Sequence, residues 1–168
     1  LTLRGGLENL RTMDVSHNQL TIIELPDDLA SLTTLNLAAN QFTSLELPLG
    51  LTALATLNLT DNRLSTLSIS PDLENLVWLN LADNELKSVD LIEGFPSLNN
   101  LESIYLGRND LTDLVMPSGL TKLRTLSVPD NTLSRLVLQN DMVSLTYLNV
   151  SGNLLSDFSF LLAAESLS

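Results

Sequence analysis

Few side chains in this sequence could act as catalysts. The chain of 168 residues has no cysteine and one histidine, His17, and it contains neither a phosphate-binding loop nor a G-x-S-x-G turn. A hydroxyl nucleophile therefore lacks the groups that would activate it, and a thiolate metal site has no ligands. We expect a protein without enzymatic activity, bound cofactor or metal.

Two aspartates come closest to a metal site. Asp61 and Asp83 are 22 residues apart, and the repeat described below places them on neighbouring coils, about 5 Å apart. Calcium requires about six to eight oxygen ligands, which two carboxylates and some asparagine carbonyls could begin to supply. Because the repeat alone produces this spacing, the pair is weak evidence, and calcium binding stays open.

The aromatic residues offer recognition chemistry. The chain has one tryptophan, Trp78, and two tyrosines, Tyr105 and Tyr147. Trp, Tyr and Arg are common anchors where proteins bind proteins. The same rings, set among amides and hydroxyls, could instead stack on sugar rings.

A repeated asparagine shows which elements position these residues. The intervals are 22 residues, except for one of 25, and the asparagines are Asn18, Asn40, Asn62, Asn84, Asn109, Asn131 and Asn153. An apolar residue follows each asparagine by two positions, and apolar residues also precede it by three and five. The frame L-x-x-L-x-L-x-x-N-x-L is filled seven times.

The frame predicts stacked coils. Its L-x-L centre alternates with the period of a strand that buries one face. One short coil cannot bury that face alone, but stacked coils form a continuous parallel sheet. After each strand the chain turns inward, and an asparagine amide can both donate to and accept from the backbone groups left there. We therefore predict that the seven asparagines form a structural ladder.

The frame resembles the leucine-rich repeat family over essentially the whole chain. The resemblance implies a right-handed solenoid whose parallel sheet lines a concave face that binds a macromolecule. The repeats are similar to the shorter bacterial kinds found in secreted effectors and surface adhesins. The L-P-x-L-P signature of one effector group and the family's cysteine caps are absent.

The second half of each repeat predicts further short strands on the convex side. Apolar pairs alternate there at Ile23/Leu25, Leu45/Leu47, Leu67/Ile69, Val89/Leu91, Leu114/Met116 and Leu136/Leu138. Prolines follow several of these pairs, and few residues remain before the next repeat begins. We therefore expect little helix. Between these pairs, Val115 and Val137 are either a contact with another domain or chain, or an ordinary exposed pair.

We expect one leucine-rich-repeat domain, residues 1–168, with about seven repeats. Residues 1–6 match the tail of a preceding, truncated repeat, which suggests a fragment of a longer protein. Residues 156–168, which include Phe158 and Phe160, form a degenerate last repeat or a cap. The longer interval falls at residues 92–97, where Phe95 lies on a bulge or fills the convex side.

The residue between the leucines of L-x-L points away from the core. This rule, applied to the equivalent positions of successive repeats, places the candidate binding residues on the outward face of the predicted sheet. The anchors are Trp78, Tyr105, Tyr147 and Arg108, and the polar surroundings are Asn36, Asn58, Asn80 and Asp83. The competing interpretation is that the asparagines pair across strands and only solvate the sheet.

Charge narrows the choice of partner. The formal net charge is −12, which argues against nucleic acid and anionic membranes. No apolar run reaches the length of about 18 residues needed to span a bilayer. We expect a protein partner on the concave face, with a glycan as the alternative. A secreted or cell-surface bacterial protein is favoured, a cytoplasmic one stays open, and the oligomeric state is not predicted.

Overall fold

The computed structural model describes residues 1–67, 72–89 and 98–160. These ranges contain nine strands of three residues each. In chain order they are β1 (Thr12–Asp14), β2 (Thr34–Asn36), β3 (Thr56–Asn58), β4 (Trp78–Asn80), β5 (Ser103–Tyr105), β6 (Asp113–Val115), β7 (Thr125–Ser127), β8 (Arg135–Val137) and β9 (Tyr147–Asn149). Within the described ranges, helical geometry is limited to a 3₁₀ turn at Ser159 and Phe160.

Seven of the strands form one parallel sheet in the order β1-β2-β3-β4-β5-β7-β9. Each strand pairs in register with the equivalent strand of the next coil, so that Leu35 lies opposite Leu57. The longer repeat does not shift this register, because Leu79 lies opposite Ile104. The parallel-sheet solenoid with little helix, predicted from the repeat frame, is confirmed.

The core is a stack of leucines supplied by every coil. The central residue of each inner strand, such as Leu57 or Leu126, is fully buried, and the residues beside it face outward. The frame positions that follow the strand are buried too, as at Leu59 and Leu64. Burial of each such side chain stabilises the fold by about 1.5–3 kcal/mol, so the coils stay in register through shared apolar rows.

The second row of strands is shorter than the main sheet. β6 and β8 pair in parallel, with Leu114 opposite Leu136, and an isolated parallel bridge joins Thr2 to Glu24. Val115 and Val137 lie opposite each other and are half-buried. The predictions at Ser68–Ile69, at Leu91, for the 92–97 insertion with Phe95, and for residues 161–168 lie outside the described residues.

Each coil turns inward through a left-handed residue placed directly before the frame asparagine. The backbone φ is +55° at Asp61 and +51° at Ala39. The same conformation recurs at His17, Asp83, Arg108, Asp130 and Gly152. We refer to these seven positions as the turn row. Two members of this row, Asp83 and Arg108, were predicted from the sequence to lie on the outward face of the sheet, but their backbone conformation was not predicted.

The frame asparagines hold the turn from inside. Asn62 Nδ2 donates to the carbonyls of Leu37 and Leu59, both at 3.1 Å, and Asn62 Oδ1 accepts from the N–H of Phe42 at 3.1 Å. The same cross-coil bonds recur at Asn40, Asn84, Asn109 and Asn131, which are all buried. One side chain thus joins its own coil to the preceding one.

A second cross-coil bond recurs in the loops before the frame. The N–H of Gly50 donates to Asp72 Oδ2 at 2.9 Å, and that of Gly119 donates to Asp141 Oδ2 at 2.7 Å. Gly6 and Asp28 are paired in the same way. All three glycines have a positive φ, which glycine adopts without steric cost.

Candidate functional site

The outward side chains of the seven-stranded sheet form the surface that we refer to as the sheet face. It comprises the first and third residues of β1–β5, β7 and β9, together with the turn row. Side chains of a parallel sheet repeat at the strand spacing, so equivalent residues form rows about 4.8 Å apart. This surface contains every candidate binding residue identified from the sequence.

An aromatic pair occupies the middle of the sheet face. The ring centroids of Trp78 and Tyr105 are 5.7 Å apart, with the ring planes tilted by 49°. The contact is diagonal, because Trp78 lies opposite Ser103 while Tyr105 lies opposite Asn80. Both rings are half-buried. Aromatic pairs in such tilted arrangements are mutually stabilising, so the two rings form a preorganised surface.

Tyr147 does not join this pair. It lies in β9, three strands along the sheet from Trp78, which corresponds to about 14 Å at ordinary strand spacing. Its side chain is 52% exposed. The three aromatic anchors predicted together therefore divide into one pair and one separate residue.

Arg108 and Asp83 form a bidentate ion pair across neighbouring coils. Arg108 Nη2 donates to Asp83 Oδ2 at 2.9 Å, and Arg108 Nε donates to Asp83 Oδ1. The hydrogen bonds that Arg108 donates to Asp83, followed by the negative charge of Asp83, raise the pKa of the Arg108 guanidinium, and the charge of Asp130 adds to this. Arg108 therefore remains protonated and is already engaged by a carboxylate.

This ion pair bears on the calcium hypothesis. Asp83 is bound to Arg108. A calcium ion between Asp61 and Asp83 would therefore have to compete with the Arg108 guanidinium for the Asp83 carboxylate. Within the described residues, no three histidine, aspartate or glutamate side chains lie close enough together to hold a metal ion.

The outward asparagines have a local structural role that sequence analysis missed. Asn58 Oδ1 accepts from the N–H of Thr60 at 3.3 Å, and Asn80 Oδ1 accepts from the N–H of Ala82 at 3.0 Å. Asn36 and Asn149 make the same bond two residues ahead. Such Asx turns are a common way to end an extended segment, and asparagines two residues before small residues were the available signal.

These asparagines keep donors that can contact a partner. Asn36 Nδ2 donates to Asp14 Oδ2 at 3.0 Å. No acceptor among the described residues takes a hydrogen bond from Nδ2 of Asn58 or Asn80. The oxygen of each amide is therefore held by the fold, while its nitrogen has no hydrogen-bond partner among the described residues.

Asp14 ends β1 in the same way. Its Oδ1 accepts from the N–H of Ser16 at 2.9 Å and from Ser16 Oγ at 2.6 Å. The Ser16 side-chain hydrogen bond, then that residue's backbone N–H and the Asn36 amide, lower the pKa of the Asp14 carboxyl. Asp14 thus belongs to the row of Asx turns and stays ionised to lower pH than usual.

Away from the sheet face, a shallow groove of about 420 Å³ opens between two coils. It is lined by Ser44, Leu45, Glu46, Thr66 and Leu67. Among the described residues that line this groove, Glu46 is the one ionisable side chain.

The comparison with protein families agrees with this architecture. A family model described as "Leucine Rich repeats (2 copies)" matches residues 8–49, and one described as "Leucine rich repeat" matches residues 74–133. The chain belongs to the leucine-rich repeat family. No curated protein sequence matches it.

Similar solved structures come from bacterial proteins. YopM from Yersinia enterocolitica WA-314 has a TM-score of 0.73 and 27% identity, covering 99% of this chain and 34% of that one. A Shigella effector leucine-rich repeat domain has a TM-score of 0.66 and 28% identity, covering 90% of this chain and 63% of that one. A leucine-rich repeat protein of Leptospira interrogans shares the fold, with a TM-score of 0.62, 22% identity, and coverage of 96% and 54%. This chain thus spans less than two thirds of each structure.

Among the described residues, no helix has the length and apolar character needed to cross a membrane.

Proposed function

We propose that this chain is a non-catalytic module that binds a protein partner through the sheet face, centred on Trp78 and Tyr105. Leucine-rich repeat proteins are generally non-catalytic interaction modules, which supports the class of function. The particular surface is supported by the geometry of the chain itself.

The observation that carries the proposal is the aromatic pair. Trp78 and Tyr105 are held in contact, half-exposed, on an open sheet. A solvating surface would not need two large rings at its centre, whereas aromatic anchors dominate the energetics of protein interfaces. Because their mutual contact restricts both rings, little conformational entropy remains to be lost on binding.

The polar residues around the pair have complementary roles in this proposal. Asn58 and Asn80 donate through their free Nδ2 groups, and Asn36 extends the same row. Arg108 and Asp83 act as one ion-paired unit at the edge of the surface. Tyr147 is a separate, more exposed contact for a partner that covers several coils.

A carbohydrate-binding or adhesive module is the second candidate. The free amide donors of Asn58 and Asn80 favour it, because sugar hydroxyls accept such bonds while a pyranose ring stacks on an indole. The tilt of 49° between the rings weighs against it, since one flat sugar cannot stack on both rings at once.

We also propose that the module acts outside the bacterial cytoplasm, in a secreted or cell-surface protein. The similarity to YopM and to a Shigella effector domain supports this location.

A display experiment tests the function. Peptides selected from a random library on the wild-type chain are measured against Tyr105→Ala and against Val143→Ala. Val143 is a matched control, because it is 67% exposed and lies in a loop outside the sheet face. We expect Tyr105→Ala to weaken binding about tenfold or more, while Val143→Ala leaves it unchanged.

Two outcomes would contradict the proposal. Selected peptides that bind Tyr105→Ala as tightly as wild type would place the interaction elsewhere. Saturable binding of oligosaccharides, with no peptide selected on the sheet face, would favour the carbohydrate alternative.

A further inference from the structure

We infer that the partner presents a basic segment to the sheet face, with a lysine or arginine side chain against the Trp78–Tyr105 pair. This inference rests on the proposed function and specifies the chemistry of the partner. It follows from the charges of the turn row and from the half-buried rings on the same coils.

The turn row carries a distinctive charge sequence over four consecutive coils. The residues are Asp61, Asp83, Arg108 and Asp130, three carboxylates and one guanidinium. Asp83 and Arg108 neutralise each other through their bidentate bonds. Asp61 and Asp130 form no salt bridge within the described part of the chain, so the row keeps two negative charges.

These two carboxylates lie on the coils that flank those of the aromatic pair. Trp78 and Tyr105 belong to the coils of Asp83 and Arg108, the two central coils of the row. Asp61 lies one coil before them and Asp130 one coil after, roughly 14 Å from each other by strand spacing. An extended peptide with basic residues at alternate positions places three cations on one side over a similar length.

The rings and carboxylates favour the same kind of group. Indole and phenol faces attract lysine and arginine by cation–π interaction, most strongly for tryptophan. The formal net charge of −12 also steers a basic segment towards the chain. An acidic partner would have to displace Asp83 from Arg108 and approach Asp130. A neutral partner could donate hydrogen bonds to the carboxylates of Asp61 and Asp130 but would gain no ion pair from them.

A titration with defined peptides tests this inference. Trp78 is the only tryptophan, so its emission reports on the proposed site alone. The probe is a peptide of alternating lysine and glycine, and the matched peptide has glutamate in place of lysine. We expect a saturable change in emission with the lysine peptide, weakened by salt, and none with the glutamate peptide.

Two double variants with the same change in net charge provide the control. Asp61→Asn/Asp130→Asn removes the flanking charges, and asparagine tolerates the left-handed backbone at these positions. Glu24→Gln/Glu46→Gln removes two exposed charges outside the sheet face. We expect about tenfold weaker binding and a smaller salt dependence for the first variant only, with unchanged circular dichroism for both.

The outcomes separate this inference from the proposed function. Equal weakening by both double variants would overturn it, because overall charge would then explain the attraction. Peptides selected on the sheet face that are neutral or acidic would also overturn it, while the protein-binding function would stand. If the lysine peptide binds without changing Trp78 emission, and the Tyr105→Ala variant binds it as tightly as wild type, the proposed binding site at Trp78 and Tyr105 is wrong.

Discussion

At the residue scale, the turn row shows how the fold imposes a conformation that side chains disfavour. Six residues other than glycine adopt a φ between +51° and +56° there. Aspartate, asparagine and histidine visit this region more readily than most residues, but alanine gains nothing from it. Ala39 is held there because its coil has to direct Asn40 inward.

Replacing Ala39 with glycine should therefore stabilise the protein. Relief of the left-handed strain is worth about 1–2 kcal/mol, partly offset by about 0.4–1 kcal/mol of extra entropy in the unfolded chain. We expect a net gain of up to about 1.6 kcal/mol in the free energy of unfolding, measured by urea denaturation. Ala55, which has no positive φ, is the control, and Ala55→Gly should destabilise. A loss of stability in Ala39→Gly would contradict the account.

The lowered pKa of Asp14 predicts a pH dependence. The ionised carboxylate is stabilised in the folded state by Ser16 and Asn36, so its contribution is present above the ordinary aspartate pKa. It is lost as the pH falls through the lowered folded value. Ser16→Ala should raise the pKa of Asp14 towards the ordinary value in an NMR titration of the carboxyl carbon. An unchanged titration curve would show that these hydrogen bonds do not control the group.

At the element scale, the coil is the unit of structure, and the bonds between coils determine its stability. Asn62→Leu should cost about 1–3 kcal/mol for each buried backbone group left unpaired. Asn18→Leu is the matched control, because Asn18 is exposed and donates only to Val15 and Ser16 of its own coil. Thermal unfolding should show a large decrease for Asn62→Leu and a small one for Asn18→Leu. Similar small decreases would refute the structural ladder.

Close approach of two coils makes one glycine necessary for a reason other than φ. A Cβ at Gly107 would lie 2.9 Å from Pro129 Cγ and 3.0 Å from Pro129 Cδ. We expect Gly107→Ala to destabilise the protein by about 1–3 kcal/mol, although alanine is accepted at Ala38 and Ala82 in the same column. Adding Pro129→Ala should restore most of the lost stability. No rescue in the double variant would mean that the contact with Pro129 is not the cause.

At the scale of the whole molecule, the repeat determines what could be predicted from the sequence. The frame asparagines and the L-x-L pattern specify the coil, the direction of each side chain and the pairing of Leu57 with Leu79. These features follow from the repeat length and from the alternation of apolar residues, which can both be seen in the sequence itself. The resulting fold is confirmed even across the longer interval between Asn84 and Asn109.

The contacts within the site depend on side-chain geometry and could not be predicted in the same way. The columns placed Trp78 and Tyr105 on one face but not in diagonal contact, which depends on how both rings are oriented. Arg108 was predicted as an anchor and Asp83 as part of its polar surroundings, but the bidentate bonds that join them were not predicted. The Asx turns of Asn58 and Asn80 leave only a spacing pattern in the sequence. Whether an asparagine side chain bonds to its own backbone or to a neighbouring strand depends on the three-dimensional structure.

The most direct test of the binding function is amide NMR mapping with a peptide selected on the wild-type chain. We expect the largest chemical-shift changes on β3, β4 and β5, around the indole N–H of Trp78, with β6 and β8 little affected. The largest changes at Val115 and Val137, with Trp78 and Tyr105 unmoved, would contradict it and place the interaction on the second row of strands.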